Sequence, residues 1–182
     1  MKKQPIYIVW FKRDFRLVDN EALFHAHQSG VPLLLVCFFE PRVMSYDDSD
    51  VRHWRFVYES IQDLNKKLAP FNARIYFFHD EVKTVFSKLI NEYDVKTVFS
   101  HQGIGNKVTY DRDVEMKVFF DSNDIAWKEF QLHGVIRKLK SRQNWDQRWE
   151  QIMRDTPKLI KESDLKTIVL PADLYDSMKG PE

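Results

Sequence analysis

Residues able to do chemistry are dispersed along this sequence, and one stretch gathers charge and aromatic surface together. Trp10-Phe11-Lys12-Arg13-Asp14-Phe15-Arg16-Leu17 follows directly on an apolar run. Arg13, Asp14 and Arg16 are costly to bury unpaired, so they are expected to close a local ion-pair network, with Asp113 as a further candidate member. The histidines, His25, His27, His53, His79, His101 and His133, are scattered and read as surface or internally satisfied residues. His25 and His27 are two apart, which puts them on different helix faces and argues against a shared metal. Cys37 is the single cysteine, so no internal disulfide forms and no Cys/His set has zinc-like spacing. Gly103-Ile104-Gly105 lacks the third glycine of a dinucleotide fingerprint, and neither a phosphate-binding GxxxxGK loop nor a GxSxG elbow occurs. No nucleophile is spaced beside a base. On residue chemistry the chain reads as a binder, without catalytic or metal-ligating residues.

The elements that must position these groups alternate regularly. Ile6 to Phe11 and Val31 to Phe39 are apolar runs of strand length, the second apolar on both faces as a central parallel strand requires. Arg74 to Phe78, Val95 to Ser100 and Ala126 to Phe130 supply three more strands. Between them Asp19 is expected to cap a helix over about Asn20 to Ser29, closed by Gly30. Val51, Trp54, Tyr58, Ile61, Leu64 and Leu68 recur at helical spacing. Asp80 is expected to cap a helix with the stripe Val82, Val85, Phe86, Leu89 and Tyr93, and a further helix to about Ser122 carries Tyr110, Val114 and Val118 four apart. Five strand–helix alternations imply an α/β fold: a doubly wound, five-stranded parallel sheet in a Rossmann-like three-layer sandwich. Ligands of such sheets lie beyond the strands' carboxyl ends. That directs attention to Phe11–Leu17, Phe39–Asp50, His79–Glu81 and His101–Asn106.

In 182 residues Lys and Arg number 28 against 27 Asp and Glu, so no overall basic field draws nucleic acid. No apolar run reaches the roughly 18 residues that span a membrane, and the amino terminus carries no secretory cleavage pattern, so a soluble, cytoplasmic protein is expected. The pattern changes after Gln131, dividing the chain into an α/β domain over 1–131 and an extension over 132–182. Arg137, Lys138, Lys140, Arg142, Arg148 and Arg154 outnumber Asp146 and Glu150 there, while Trp145 and Trp149 stand one helical turn apart. From Thr156 onward, with Pro157, Pro171 and Pro181, the extension reads as a linker and not as a second core. At this length a partner domain is expected to be missing from one end.

The stretch Val9-Trp10-Phe11-Lys12-Arg13-Asp14-Phe15-Arg16-Leu17-Val18-Asp19-Asn20-Glu21-Ala22-Leu23 closely resembles the opening of the DNA photolyase/cryptochrome family. Thr109-Tyr110-Asp111-Arg112-Asp113 is similar to the family's Arg-Asp pair in the helix after the fourth strand. Gly134-Val135-Ile136-Arg137 falls where members leave the α/β domain for a long linker. The resemblance implies an N-terminal α/β domain that often carries a light-harvesting antenna, joined to a helical domain that holds FAD and the DNA lesion. By position the antenna contacts would be Trp10, Phe11, Lys12, Phe39, Glu40, Arg52, Gln102 and Asn106. Folate-binding relatives place an acidic residue in the loop after the fourth strand. Here that loop reads His101-Gln102-Gly103-Ile104-Gly105-Asn106, which favours a flavin or deazaflavin over folate. Arg52 could face the acidic end of such a chromophore or simply be solvated. The parent implied is a deoxyribodipyrimidine photolyase, a carbon–carbon lyase that repairs pyrimidine dimers in light. Its FAD and its damaged DNA would be held by the absent helical domain, and this chain alone would be inactive. A cryptochrome-type blue-light receptor domain, or a stand-alone nucleotide- or partner-binding module, are the other readings. The basic–aromatic segment would either pack on the helical domain or touch DNA.

Overall fold

The computed structural model describes residues 2–132, 134–137 and 139–179; His133, Lys138 and Pro181 lie outside the described residues. In chain order the elements are β1 (Pro5–Trp10), α1 (Glu21–Gln28), β2 (Leu33–Phe38), α2 (Pro41–Met44), α3 (Val51–Leu68), β3 (Ile75–Phe78), α4 (Val82–Glu92), β4 (Asp94–His101), α5 (Lys107–Ser122), β5 (Ala126–Phe130), α6 (Trp145–Met153) and α7 (Ala172–Met178). The strands pair in the order β3-β2-β1-β4-β5, all parallel. The chain winds outward from β1 to β3, then crosses back to place β4 on the other side of β1. The carboxyl ends of β1 and β4 therefore border the crevice where the winding reverses.

Alternation along the central strands divides the core in two. Ile6, Ile8 and Trp10 of β1, with Leu34, Val36 and Phe38 of β2, pack against Val82, Val85, Phe86 and Leu89 of α4 and Met116 and Phe120 of α5. Val9 and Phe11, with Leu33, Leu35 and Cys37, pack against Ala22, Leu23 and Ala26 of α1 and Ile61, Leu64 and Leu68 of α3. The central strands β1, β2 and β4 bury both faces, as a parallel sheet between two helical layers requires, while the edge strand β5 is only partly covered.

Several local expectations are corrected. Asn20 caps α1, its side chain accepting from the Leu23 N–H at 2.9 Å. Asp19 instead takes a left-handed conformation at φ 53° and accepts from the Lys158 N–H at 3.1 Å. At α4 the cap position is held by Glu81 without a side-chain bond, while Asp80 accepts from the Glu81 N–H at 2.7 Å. The amino-terminal part of α3 turns Val51 and Tyr58 outward; Trp54 and Val57 are half-buried against the core, and Ile61, Leu64 and Leu68 are buried in it.

The largest correction concerns α5. Tyr110, Val114 and Val118 do not face the sheet; Val108, Thr109, Arg112, Asp113, Met116 and Phe120 do. Two charged residues sit on the buried side because the site described below consumes both.

The tail also departs from the structureless linker expected. β3 is short and first pairs at Leu35, which leaves the start of β2 open on that side. Residues 166–168 fill the gap: the Leu33 N–H donates to the Lys166 carbonyl at 2.8 Å, and the Ile168 N–H to the Leu33 carbonyl at 2.9 Å. Leu165, Leu170 and Met178 are buried, each worth on the order of 1.5–3 kcal/mol. α7 lies across β3, where the Tyr175 hydroxyl donates to the Phe77 carbonyl at 3.0 Å.

Candidate functional site

The carboxyl edge of the sheet carries an ion network built from the ends of β1, β2 and β5, from α5 and from the segment after β5. Lys12 leaves the end of β1 with its ammonium 3.1 Å from Asp113 Oδ2 and 3.6 Å from Glu129 Oε1. The ammonium also lies 4.5 and 4.8 Å from the ring centroids of Trp10 and Trp127, which stack on each other at 5.9 Å. Burial pushes the Lys12 ammonium below its ordinary pKa, against the pull of Asp113. Arg112 bonds Glu40 Oε1 at the end of β2 and reaches Asp113 Oδ1 at 2.9 Å, its guanidinium 4.9 Å from the Trp10 centroid. Arg137 closes the other end on Glu129 Oε2 at 3.2 Å, Asp113 Oδ2 at 3.3 Å and the Gly103 carbonyl at 2.6 Å.

Burial would raise the Asp113 carboxyl, but Lys12 and Arg112 hold it below the usual carboxylate range. Burial likewise opposes Arg112, and Glu40 and Asp113 more than compensate. Glu40 goes the other way: burial dominates over Arg112 and lifts its pKa. Its second carboxyl oxygen, Oε2, is buried without a hydrogen-bond partner among the described residues. An orphaned acceptor of this kind costs about 1–3 kcal/mol unless something donates to it.

A second pair fixes the loop after β1. Asp14 is buried and accepts from His101 Nδ1 at the end of β4, from Asn20 Nδ2 at 3.2 Å and from the Lys12 N–H at 3.1 Å. Against the cost of burial, the His101 hydrogen bond keeps its carboxyl below the ordinary range. Among the described residues Arg16 pairs only with Asp19, at 3.6 Å, and both it and Arg13 face solvent. The expected Arg13–Asp14–Arg16 network is thus replaced by two others, Lys12–Asp113–Arg112–Glu40 and Asp14–His101. Cations at the core need partners on several elements, and only Lys12 points inward from this stretch.

Beside the network lies a cavity of about 610 Å3 between the ends of β1 and β2, the loop before α5 and the first turns of α3. Trp10, Phe11, Lys12, Glu40, Arg52 and Asn106 line it. Phe39 and Gln102 do not. Phe39 packs its ring on Trp54 and Phe77, at 5.8 and 6.0 Å, and the Gln102 N–H donates to the Phe130 carbonyl at 2.8 Å. Arg52 stands at the rim, 82% exposed and paired to Asp50 at 2.9 Å. Asn106 caps α5 through Oδ1, accepting from the Thr109 N–H at 3.2 Å. Its Nδ2 donates to Asp48 at 2.9 Å, tying the loop before α3 to α5. Gly105 lets the loop approach α5 closely, since a Cβ there would stand 2.4 Å from Thr109 Oγ1 and force that side chain to shift. Sequence reasoning missed the walls from α3, Trp54, Phe56 and Val57, and the contribution of Arg112. Phe56, off the apolar stripe of α3 and one turn from Arg52, was the available signal.

The sequence matches the DNA photolyase family over residues 7–147, more than three quarters of the chain. This chain belongs to that family. Within it, the chain is 30% identical over 86 residues to Cryptochrome-2 of Gallus gallus, covering 47% of this chain and 15% of that protein. It is 27% identical over 107 residues to the chloroplastic/mitochondrial Cryptochrome DASH of Solanum lycopersicum, covering 56% and 18%. In fold it is similar to an archaeal photolyase from Sulfolobus tokodaii crystallised with two FAD molecules, at TM-score 0.72 and 19% identity. That match covers 97% of this chain and 42% of that one. A class III photolyase from Agrobacterium tumefaciens gives TM-score 0.70 at 20% identity, over 100% and 39%. The chain spans well under half the length of these photolyases and cryptochromes. Its five-stranded parallel sheet is the family's α/β domain, and the ion network thus sits at the edge the winding leaves open.

α6 stands apart from the cavity. Its Trp145 and Trp149 rings are stacked with centroids 6.5 Å apart, and Trp145 Nε1 donates to the Gly134 carbonyl at 2.9 Å. Both indoles and Met153 remain half-exposed. No helix among the described residues is long and apolar enough to cross a membrane.

Proposed function

We propose that this chain is the light-harvesting half of a two-domain photolyase, holding a flavin- or deazaflavin-type antenna in the cavity at the carboxyl edge of the sheet. The observation that carries this reading is the buried, unpartnered Glu40 Oε2 on the wall of a cavity of about 610 Å3. That volume lies within the range of about 300–1,000 Å3 usual for ligand sites. An orphaned acceptor inside it calls for a ligand N–H donor, which flavins and deazaflavins carry on their pyrimidine ring. A bound antenna would absorb light and pass its excitation on. The residues here do the rest: Glu40 accepts from the ring edge, Phe11, Trp54 and Val57 exclude water, and Arg52 at the rim meets a phosphate. Trp10, Lys12 and Asn106 shape the floor and mouth.

FAD and damaged DNA belong, on this reading, to a helical partner domain. α6 would be covered by that domain, with Trp145 and Trp149 as the contact, in preference to lying on DNA. Repair of pyrimidine dimers is the activity proposed for the whole protein; the similarity to cryptochromes keeps blue-light reception as the second reading. A cytoplasmic location accords with one cysteine that is buried and unpaired. The test is the absorption spectrum of the chain purified from cells. A band to the red of the tryptophans, lost on denaturation, supports a bound antenna. Its absence, together with no uptake of added FMN or deazaflavin, contradicts it.

A further inference from the structure

α5 shows solvent a seam that the domain leaves uncovered. Tyr110, Val114 and Val118 are 55%, 49% and 66% exposed and stand four residues apart, on one side of the helix. Two ion pairs flank them, Lys107 with Asp111 and Lys117 with Asp121.

The order of these charges works against the helix that carries them. Lys107 occupies the first turn and Asp121 the last, each the wrong sign for the helix dipole. In both pairs the lysine precedes the aspartate by four residues, the less favourable orientation. The arrangement is nevertheless ordered about Val114. Asp111 and Lys117 lie three residues to either side of it, Tyr110 and Val118 four, Lys107 and Asp121 seven. Two such helices packed antiparallel about a two-fold axis at Val114 bring each residue level with its counterpart on the other side of that centre. Lys107 then meets Asp121 of the other copy, Asp111 stands level with Lys117, and Tyr110 with Val118. Parallel pairing would put every charge level with its own kind.

We propose that the outer face of α5 is a self-complementary docking surface for a second copy of this chain, joined antiparallel, α5 on α5. The contact is isologous, so each ion pair forms twice. Three apolar side chains per copy make it smaller than the roughly 800 Å2 per partner of a standard interface, and the dimer is therefore weak and reversible. It does not depend on any chromophore.

Sedimentation over a concentration series tests it, with the chain as it is and with Lys107→Asp, Asp121→Lys, the two together, and Val114→Glu. The wild type should associate to a dimer as concentration rises. Either single reversal should weaken association about tenfold, since like charges then meet at both ends of the seam. The double reversal should restore it, and Val114→Glu should abolish it. Each single reversal improves the match to the helix dipole but sets a like charge four residues from Asp111 or Lys117. Circular dichroism of each variant is therefore read beside its sedimentation, and a loss of association at unchanged helix content is the result expected. Wild type that stays monomeric throughout would overturn the proposal. So would association that survives Val114→Glu, or a double reversal that fails to recover.

Discussion

α4 and α5 lie side by side on the same face of the sheet and are built on opposite plans. α4 turns Val82, Val85, Phe86 and Leu89 inward. α5 turns Arg112 and Asp113 inward together with Met116 and Phe120, and leaves Tyr110, Val114 and Val118 outside. Both begin at the carboxyl edge of the sheet, but α4 starts after the edge strand β3 and only covers the sheet, whereas α5 starts after β4, beside β1, where Lys12 and Glu40 need partners. The difference shows that a helix beside a site is patterned by the site's charges as much as by the core.

This contrast can be broken from either side. Phe86→Ala on α4 should cost about 3–5 kcal/mol in urea unfolding, largely independent of pH. Arg112→Met on α5 should cost a similar amount, on the order of 3–5 kcal/mol, because Glu40 and Asp113 lose their buried cation. Its pH dependence should differ. The folded pKa of Glu40 is already raised above its unfolded value, so protonation favours the folded state. Part of the Arg112→Met loss should therefore return as pH falls through the folded pKa of Glu40. A loss independent of pH would mean that Glu40 is not the stranded group.

Asp14 and Asp113 have the opposite sign. Their folded pKa values are depressed, so their stabilisation is present above the unfolded value of about 4 and is lost as pH falls below it. Asp113→Asn should flatten this acid limb in a pH series of unfolding curves. A smaller effect is expected at α1, where Asn20→Ala removes a cap and a bond to Asp14, costing about 1–2 kcal/mol. Smallest of all, Val118→Ser on the outer face of α5 should change monomer stability by no more than about 0.5 kcal/mol. A larger loss would mean that Val118 is packed against its own domain.

Sequence patterning was sufficient where an element serves the core alone. The continuous apolar run of β2 and the stripe of α4 each have a single periodic reading. It failed at α5 because Tyr110, Val114 and Val118 repeat as regularly as Val108, Met116 and Phe120, and the latter set is interrupted by Arg112 and Asp113. The tail was misread for a related reason: Leu165, Leu170 and Met178 lie too far apart for any period, and only the short β3 creates the gap they fill. Lys12 could be placed at the strand end from sequence, but its partners lie more than a hundred residues away in Asp113 and Glu129. Six of the expected cavity residues do line one space, whereas Phe39 falls on the alternate face of its strand end, beneath Trp54.

The most direct test of the central claim is a fluorescence titration of FMN against the wild-type chain and Val57→Trp, which fills the cavity from α3. Saturable one-to-one binding to the wild type, lost in Val57→Trp while its unfolding curve is retained, is the result expected. Equal binding to both proteins, or binding to neither, would contradict an antenna site at this edge of the sheet.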